Sequence, residues 1–212
     1  MDVFFAAGRH LRAVCRRVWV PLTAAIWVTA AVAGLATLWH YDNTPGVAAK
    51  APPAWPTSTN LVRAAHGETL VMLAHPQCTC TEASLTELAE ALARASRQPK
   101  TYVVFLKPSV FQAGWERTNL WRRAAQLPGA TVVRDDDGVE AHGFGAATSG
   151  QTLLYDESGT LVFSGGITGS RAHEGDNAGR QSLVSLLNHQ RASGAVARST
   201  NVFGCPLFQA SN

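Results

Sequence analysis

The sequence predicts an α/β fold, a mixed central sheet covered by helices and preceded by one transmembrane helix. Three observations predict it. After residue 60, short apolar runs alternate with amphipathic stretches, strand then helix, twice over. Further on, two runs separated by a Gly-containing turn form an antiparallel hairpin pattern, with a last helical pattern behind it. Near the N-terminus, Val18 to Trp39 are 22 residues without a charge. At 212 residues, 46% hydrophobic and 16% charged, the chain suffices for one globular domain with a real core plus extensions.

The uncharged segment (18–39) crosses a hydrocarbon layer of roughly 30 Å at about 1.5 Å rise per residue. Arg9, Arg12, Arg16 and Arg17 precede it, and His40, Tyr41 and Asp42 follow. The positive-inside rule therefore puts residues 1–17 in the cytoplasm and the remainder outside. That describes a single-pass protein of the inner (cytoplasmic) membrane, its domain facing the periplasm or cell exterior. A cleaved signal peptide is the alternative, because the small-residue pattern Ala31-Val32-Ala33 is also present. Both readings export the domain. Cys15 precedes the apolar segment, which is not where a lipoprotein cysteine stands. Residues 40–60, rich in Pro, Ala and Thr, read as a linker, 61–191 as the domain and 192–212 as a C-terminal tail. The net charge is only +3, and Lys50 and the four arginines lie outside the domain, so no nucleic-acid partner is expected.

Within the domain, "TLVMLA" (69–74) is a continuous apolar run, the pattern of a strand buried on both faces. From Thr81 to Ser96, Leu85, Leu88 and Leu92 recur at helical spacing beside Ala83, Ala89 and Ala93. "TYVVFL" (101–106) is the next strand; residues 115–127 carry Leu120, Ala124 and Leu127 in helical register and stop at Pro128-Gly129. "ATVV" (130–133) forms a further strand and "DDDG" an exposed turn. "QTLLYD" and "TLVFSG" make the hairpin, and Leu183, Leu186 and Leu187 mark the last helix.

Cys78 and Cys80, in "HPQCTC", fall where the first core strand hands over to the first helix. Backbone N–H groups and the helix dipole at that end stabilise a thiolate, and a lowered pKa raises the nucleophilic fraction. His75 is expected to add positive charge nearby. The element order, the cysteine pair after the first strand and the segment "FGAATSGQTLLYDESGTLVFSGG" together resemble the thioredoxin-like superfamily, in particular its membrane-anchored exported thiol-disulfide oxidoreductases. Phe144 and Gly145 match the start of that family segment; Asp156 and Gly159 match its end. "SGGITGSRAHEGDNAG" is also similar to RedB-type proteins. The resemblance covers about residues 61–191 and implies a thioredoxin-like three-layer sandwich, with protein thiols or disulfides as partners and no cofactor.

The pattern departs from the family twice. One residue, Thr79, separates the cysteines where the family has two, and Gly150 stands at the place expected for a cis-proline. His75, Thr79 and Gly150 are the substrate-side candidates. A disulfide closed over one residue is strained and easily reduced, which suits an oxidant or isomerase-like centre. In the family's arrangement the N-terminal cysteine is the exposed one, so Cys78 is expected to attack and Cys80 to resolve. Cys205, in "FGCPLF", is a third exported thiol: either it folds back as a resolving or resting-state partner, or it is a small buried hydrophobe between Phe203 and Phe208 or pairs between chains.

Two other functions stay open. Cys78 and Cys80 with His75 or His142 suit Cu(I), so a copper-binding or copper-delivery protein is one alternative. A non-catalytic interaction domain is the other. His173, Glu174 and Asp176 offer a possible ligand set or, with Asn177, a cap for the last helix. Trp115 and Trp121 read as packing residues. "RDDDG" lacks the remainder of a calcium loop, and neither a Gly-rich phosphate loop nor a serine nucleophile elbow is visible.

Overall fold

The computed structural model describes residues 2–47, 50–188 and 197–208. The chain forms two units, Met1–Asp42 and Asn43–Asn212. The first is a single helix, α1 (Asp2–Asp42), within which Trp19–Asp42 is long and apolar enough to cross a membrane.

The second unit follows the order β1 (Thr69–Ala74), α2 (Thr79–Ala93), β2 (Lys100–Lys107), α3 (Asn119–Ala125), β3 (Ala130–Asp136), α4 (Val139–Gly143), β4 (Gln151–Tyr155), β5 (Leu161–Gly165), α5 (Ala178–Leu187) and β6 (Arg198–Ser199). The strands build one sheet in the order β3-β2-β1-β4-β5-β6. β1, β2 and β3 are parallel, β4 runs antiparallel to both β1 and β5, and β6 joins β5 in parallel.

Alternation along the strands divides the core into two layers. Leu70, Met72, Val103, Phe105, Leu154 and Phe163 face one side, where Leu85, Leu88 and Leu92 of α2 and Leu183 and Leu187 of α5 cover them. Val71, Leu73, Val104, Leu106, Leu153 and Tyr155 face the other, against Ala141 of α4, Phe144 and Leu207. Helices, mixed sheet and a thinner layer of α4 with its flanking segments make a three-layer sandwich.

Three features differ from the expected pattern. "DDDG" is not simply an exposed turn: Asp135 is buried and accepts the Glu140 and Ala141 N–H groups at 2.8 and 2.9 Å, which starts α4. Burial raises the pKa of this carboxyl, while the two N–H bonds oppose the rise. A five-residue helix is too short to show a period in sequence. The later half of the presumed linker is packed on the domain. Trp55 N–H donates to Gly159 O and Leu161 N–H to Pro53 O, each at 2.8 Å. The Glu140 carboxylate accepts from the Asn60 N–H at 2.9 Å and from the Thr59 hydroxyl. Finally, α3 starts only at Asn119, because Thr118 takes an extended N-cap conformation and turns its hydroxyl to Pro76 O at 2.8 Å.

Candidate functional site

β1 delivers the chain to the site and ends at Ala74, two residues before Pro76, which has no N–H to give to a ladder. The turn His75–Cys78 closes through Cys78 N–H to His75 O at 3.4 Å. Cys78 is then the N-cap of α2, in extended conformation, and Thr79 is the first helical residue. Thr81 fixes the junction three ways: its N–H donates to Cys78 O (3.0 Å), its hydroxyl to His75 O (3.0 Å), and the same hydroxyl meets Ser149 Oγ at 2.7 Å. Ser149 Oγ also accepts the His75 N–H at 2.8 Å. The segment just before β4 is thus locked onto the cysteine turn. Gly150 N–H donates to Leu73 O at 2.8 Å; at φ +88° Gly150 adopts a conformation L side chains rarely take, and a Cβ there would meet Ser84 Oγ at 2.7 Å. Among the described residues there is no cis peptide bond, and Gly150 holds the expected cis-proline place in its own way.

Spacing by two at a helix start turns both cysteines inward while Thr79 between them is exposed. Cys78 is 1% exposed and Cys80 5%. This corrects the expectation that Cys78 is the accessible cysteine: it is covered, and the tail contributes to the cover. Residues 205–207 run antiparallel to residues 147–149. Ser149 N–H donates to Cys205 O at 2.8 Å, Leu207 N–H to Ala147 O at 2.9 Å, and Pro206 bridges Thr148. Pro206 is tolerated because this pairing uses the Cys205 carbonyl and the Leu207 N–H and asks no donor of the proline. Gly204 is required, since a Cβ there would lie 2.0 Å from Ser149 O. Leu207 is buried in the core layer and Phe208 stacks on His142 with centroids 3.9 Å apart.

The tail thereby sets Cys205, partly exposed, against the pair; all three are free thiols. Their acidities are driven apart. Hydrogen bonding from the Cys80 thiol is the largest influence on Cys78; burial opposes it, and the Cys205 thiol and the Cys205 and Thr81 N–H groups assist, so its pKa falls to about 4. Cys80 is pushed far up, first because it donates to Cys78 and then by burial. Cys205 is pushed up to about 11 by burial and by the same thiolate, with the Arg171 guanidinium opposing. Desolvation lowers the His75 pKa, so it does not supply the positive charge expected of it; its Nδ1 accepts the Gln77 N–H at 3.2 Å and its ring stands edge-on to Trp115.

The sequence reading passed over Arg171 and Ala172. Arg171 Nη1 donates to Gly204 O at 2.6 Å, and the Ala172 N–H faces the Cys80 sulfur. Their loop is tied to α2 through buried Glu87, which takes Gly175 N–H (2.7 Å), Asn177 Nδ2 (3.0 Å) and Arg180 Nη1 (2.7 Å). Asn177 caps α5, Asp176 pairs with Arg180, and Glu174 accepts from Thr86, so this loop's polar side chains hold structure together. His142 is exposed and stacked on Phe208. Among the described residues, no group of three or more His, Cys, Asp or Glu is arranged to hold a metal ion. Trp121 packs on Phe105, and Trp115 stacks on Phe111 beside a cleft of about 480 Å³ lined by His75, Leu106, Leu207 and Phe208.

No family model matches the chain, and no curated protein matches it. Solved structures do. An uncharacterised conserved protein from Geobacillus kaustophilus is 17% identical, with 80% of this chain and 95% of that one covered, at a TM-score of 0.53. A hypothetical protein from Sinorhizobium meliloti is 20% identical over 79% and 96% of the chains, at 0.50. Both likenesses reach nearly the whole of the other chain and concern the fold alone. The pneumococcal exposed lipoprotein thioredoxin from Streptococcus pneumoniae is 16% identical over 57% and 84%, at 0.42. In this chain three parallel strands, an antiparallel hairpin and a helix springing from the end of the central β1 give the architecture expected from the resemblance. The fold is thioredoxin-like.

Proposed function

We propose that this chain is a membrane-anchored, exported thiol-disulfide oxidoreductase. The observation that carries the reading is the convergence of three free thiols at the start of α2, one favoured as thiolate while its neighbours keep their protons. Thiolate is the nucleophile of thiol–disulfide exchange, and a low-pKa thiol is also the better leaving group. Once the covering tail segment shifts, the Cys78 thiolate attacks one sulfur of a partner protein's disulfide; the S–S bond breaks, the partner's other sulfur leaves as thiolate, and a mixed disulfide forms. A neighbouring thiol of the cluster then loses its proton and attacks the Cys78 sulfur. The partner leaves with both sulfurs reduced, and an internal disulfide holds the two electrons' worth of oxidation. The apolar part of α1 anchors the domain, outward-facing by the arginines that precede the span.

Thiol trapping in graded glutathione buffers under metal exclusion tests this. The expected result is a reversible two-electron transition that vanishes in Cys78→Ser. Thiols that never form a disulfide across that range would overturn the reading, and a Cu(I) titration followed on Cys78, Cys80 and His75 variants would then decide for copper delivery or for a non-catalytic interaction domain.

A further inference from the structure

The reactive sulfur is in the wrong place for a simple encounter. Cys78 is almost wholly covered, whereas Cys205 is the most exposed of the three thiols. The two candidate partners of Cys78 also differ in freedom. Cys80 is built into the first turn of α2, its carbonyl taken by the Ser84 hydroxyl at 3.0 Å. A bond between it and Cys78 must close over Thr79 alone, against the torsion and spacing a disulfide demands. Cys205 comes from a separate tail segment, far away in sequence, which meets Cys78 sulfur to sulfur without a small ring. That segment is held by two backbone bonds to Ala147 and Ser149 and by Arg171 on Gly204 O, with Leu207 and Phe208 seated at its end.

We propose that Cys205 is the entry thiol of this protein: it forms the working disulfide with Cys78, and a partner dithiol protein reaches the buried Cys78 through it. This deepens the oxidoreductase reading and rests on it. The step balances. A thiolate of the dithiol attacks the outward Cys205 sulfur, the Cys205–Cys78 bond breaks, and Cys78 departs as thiolate into the environment that favours it. The dithiol's second thiol, losing its proton, attacks its own sulfur in the mixed disulfide. The dithiol leaves oxidised, and Cys205 takes up a proton as a free thiol. Departure of the lower-pKa sulfur makes attack at Cys205 the faster direction. Accessibility points the same way, because the opposite attack needs a path to a sulfur the fold has covered. Cys80 keeps its proton throughout and donates to the Cys78 thiolate, a positioning residue in place of the resolving one expected from sequence.

The partner is therefore a protein with two neighbouring thiols that can present one of them to the tail strand. It does not have to penetrate the domain.

The full chain in detergent is oxidised with glutathione disulfide, alkylated and digested without reduction, and its disulfides are mapped by mass spectrometry. The expected linkage is Cys78–Cys205, retained in Cys80→Ser. The oxidised protein is next given reduced glutathione as a monothiol probe that cannot resolve its own adduct. The adduct is expected on Cys205, with the ultraviolet absorbance of a thiolate appearing as Cys78 is released. Cys205→Ser is expected to form no internal disulfide under the same oxidation. A Cys78–Cys80 linkage with Cys205 open to alkylation, or glutathione on Cys78, overturns the entry role and leaves the oxidoreductase reading standing. Absence of any disulfide through Cys78 overturns both.

Discussion

The segments flanking the domain, residues 50–60 and 202–208, are alike in sequence and unlike in what they do. Each is short, contains proline and lacks hydrophobic periodicity. Each is fastened by backbone hydrogen bonds to a loop or strand start of the domain, the first at Pro53 and Trp55, the second at Cys205 and Leu207. The first buttresses the thin layer: Trp55 sets its ring edge-on to Phe144 and Tyr155, each with centroids 5.2 Å apart, and the Tyr155 hydroxyl donates to Pro52 O at 3.2 Å. The second places a thiol on a thiolate. A segment without regular structure is thus given its role by what it lies against. One completes a core, and the other completes a reaction centre.

The sharpest way to break this contrast is to remove the buttress. Trp55→Ala deletes a half-buried aromatic side chain and is expected to cost about 2–3 kcal/mol, at the low end for such truncations because the ring is partly exposed. Urea unfolding of the full chain in detergent measures it, with the Cys78 alkylation rate followed in parallel. A change in that rate at unchanged stability would mean that the two flanks share one function.

The tail gives a smaller effect of the other kind. Gly204→Ala forces a methyl toward Ser149 O, where a Cβ would stand at 2.0 Å. The strand must lift, an overpacking cost of about 1–3 kcal/mol borne by the tail. Maleimide labelling of Cys78 is expected to rise about tenfold, corresponding to about 1.4 kcal/mol of opening. An unchanged labelling rate at intact helicity would show that something other than the tail shields Cys78.

The division between legible and hidden parts follows the same line. The strands β1, β2, β4 and β5 and the helices α2 and α5 were readable because each buries several side chains at a regular period, and the cysteine turn followed from where β1 meets α2. What was hidden depends on single contacts between residues far apart in the chain. α4 is nucleated by one carboxylate, Asp135, and the linker is held to it by another, Glu140. The cover over Cys78 depends on Gly204 fitting against Ser149, and the depressed His75 pKa on burial. Arg171 and Ala172 gave no signal, because one acts through its charge beside Cys205 and the other through a backbone N–H. Such contacts leave no period in a sequence; the Gly-Cys-Pro run of the tail, a close-approach residue, a thiol and a donorless residue together, was the one local hint.

The smallest effect sharpens the contrast most, because it asks how much of the Cys78 thiolate the tail supports. Cys205 stands behind Cys80 among the groups that hold the Cys78 pKa near 4. Cys205→Ser keeps the backbone N–H and a hydroxyl donor, so the midpoint should move up while staying well below the ordinary thiol value. The stability consequence has a definite sign. With the folded value near 4 and the ordinary one at 9.0, the folded protein binds fewer protons than the unfolded chain between those limits. Stability of the reduced protein therefore climbs as pH rises through that window, and the gain is lost as pH falls through 4. Cys205, held up near 11, has the opposite sign: between 9 and 11 the folded protein keeps a proton that the unfolded chain has released, so stability declines there, with Cys80 contributing in the same direction. Cys205→Ser should shallow the alkaline decline and leave most of the acid-side climb, read as melting temperature against pH beside the thiolate absorbance. If the climb itself disappeared, the tail would be the main support of the thiolate; if neither limb changed, the Cys205 thiol would not be bonded to Cys78 in solution, and the tail would be a second buttress like the segment around Trp55.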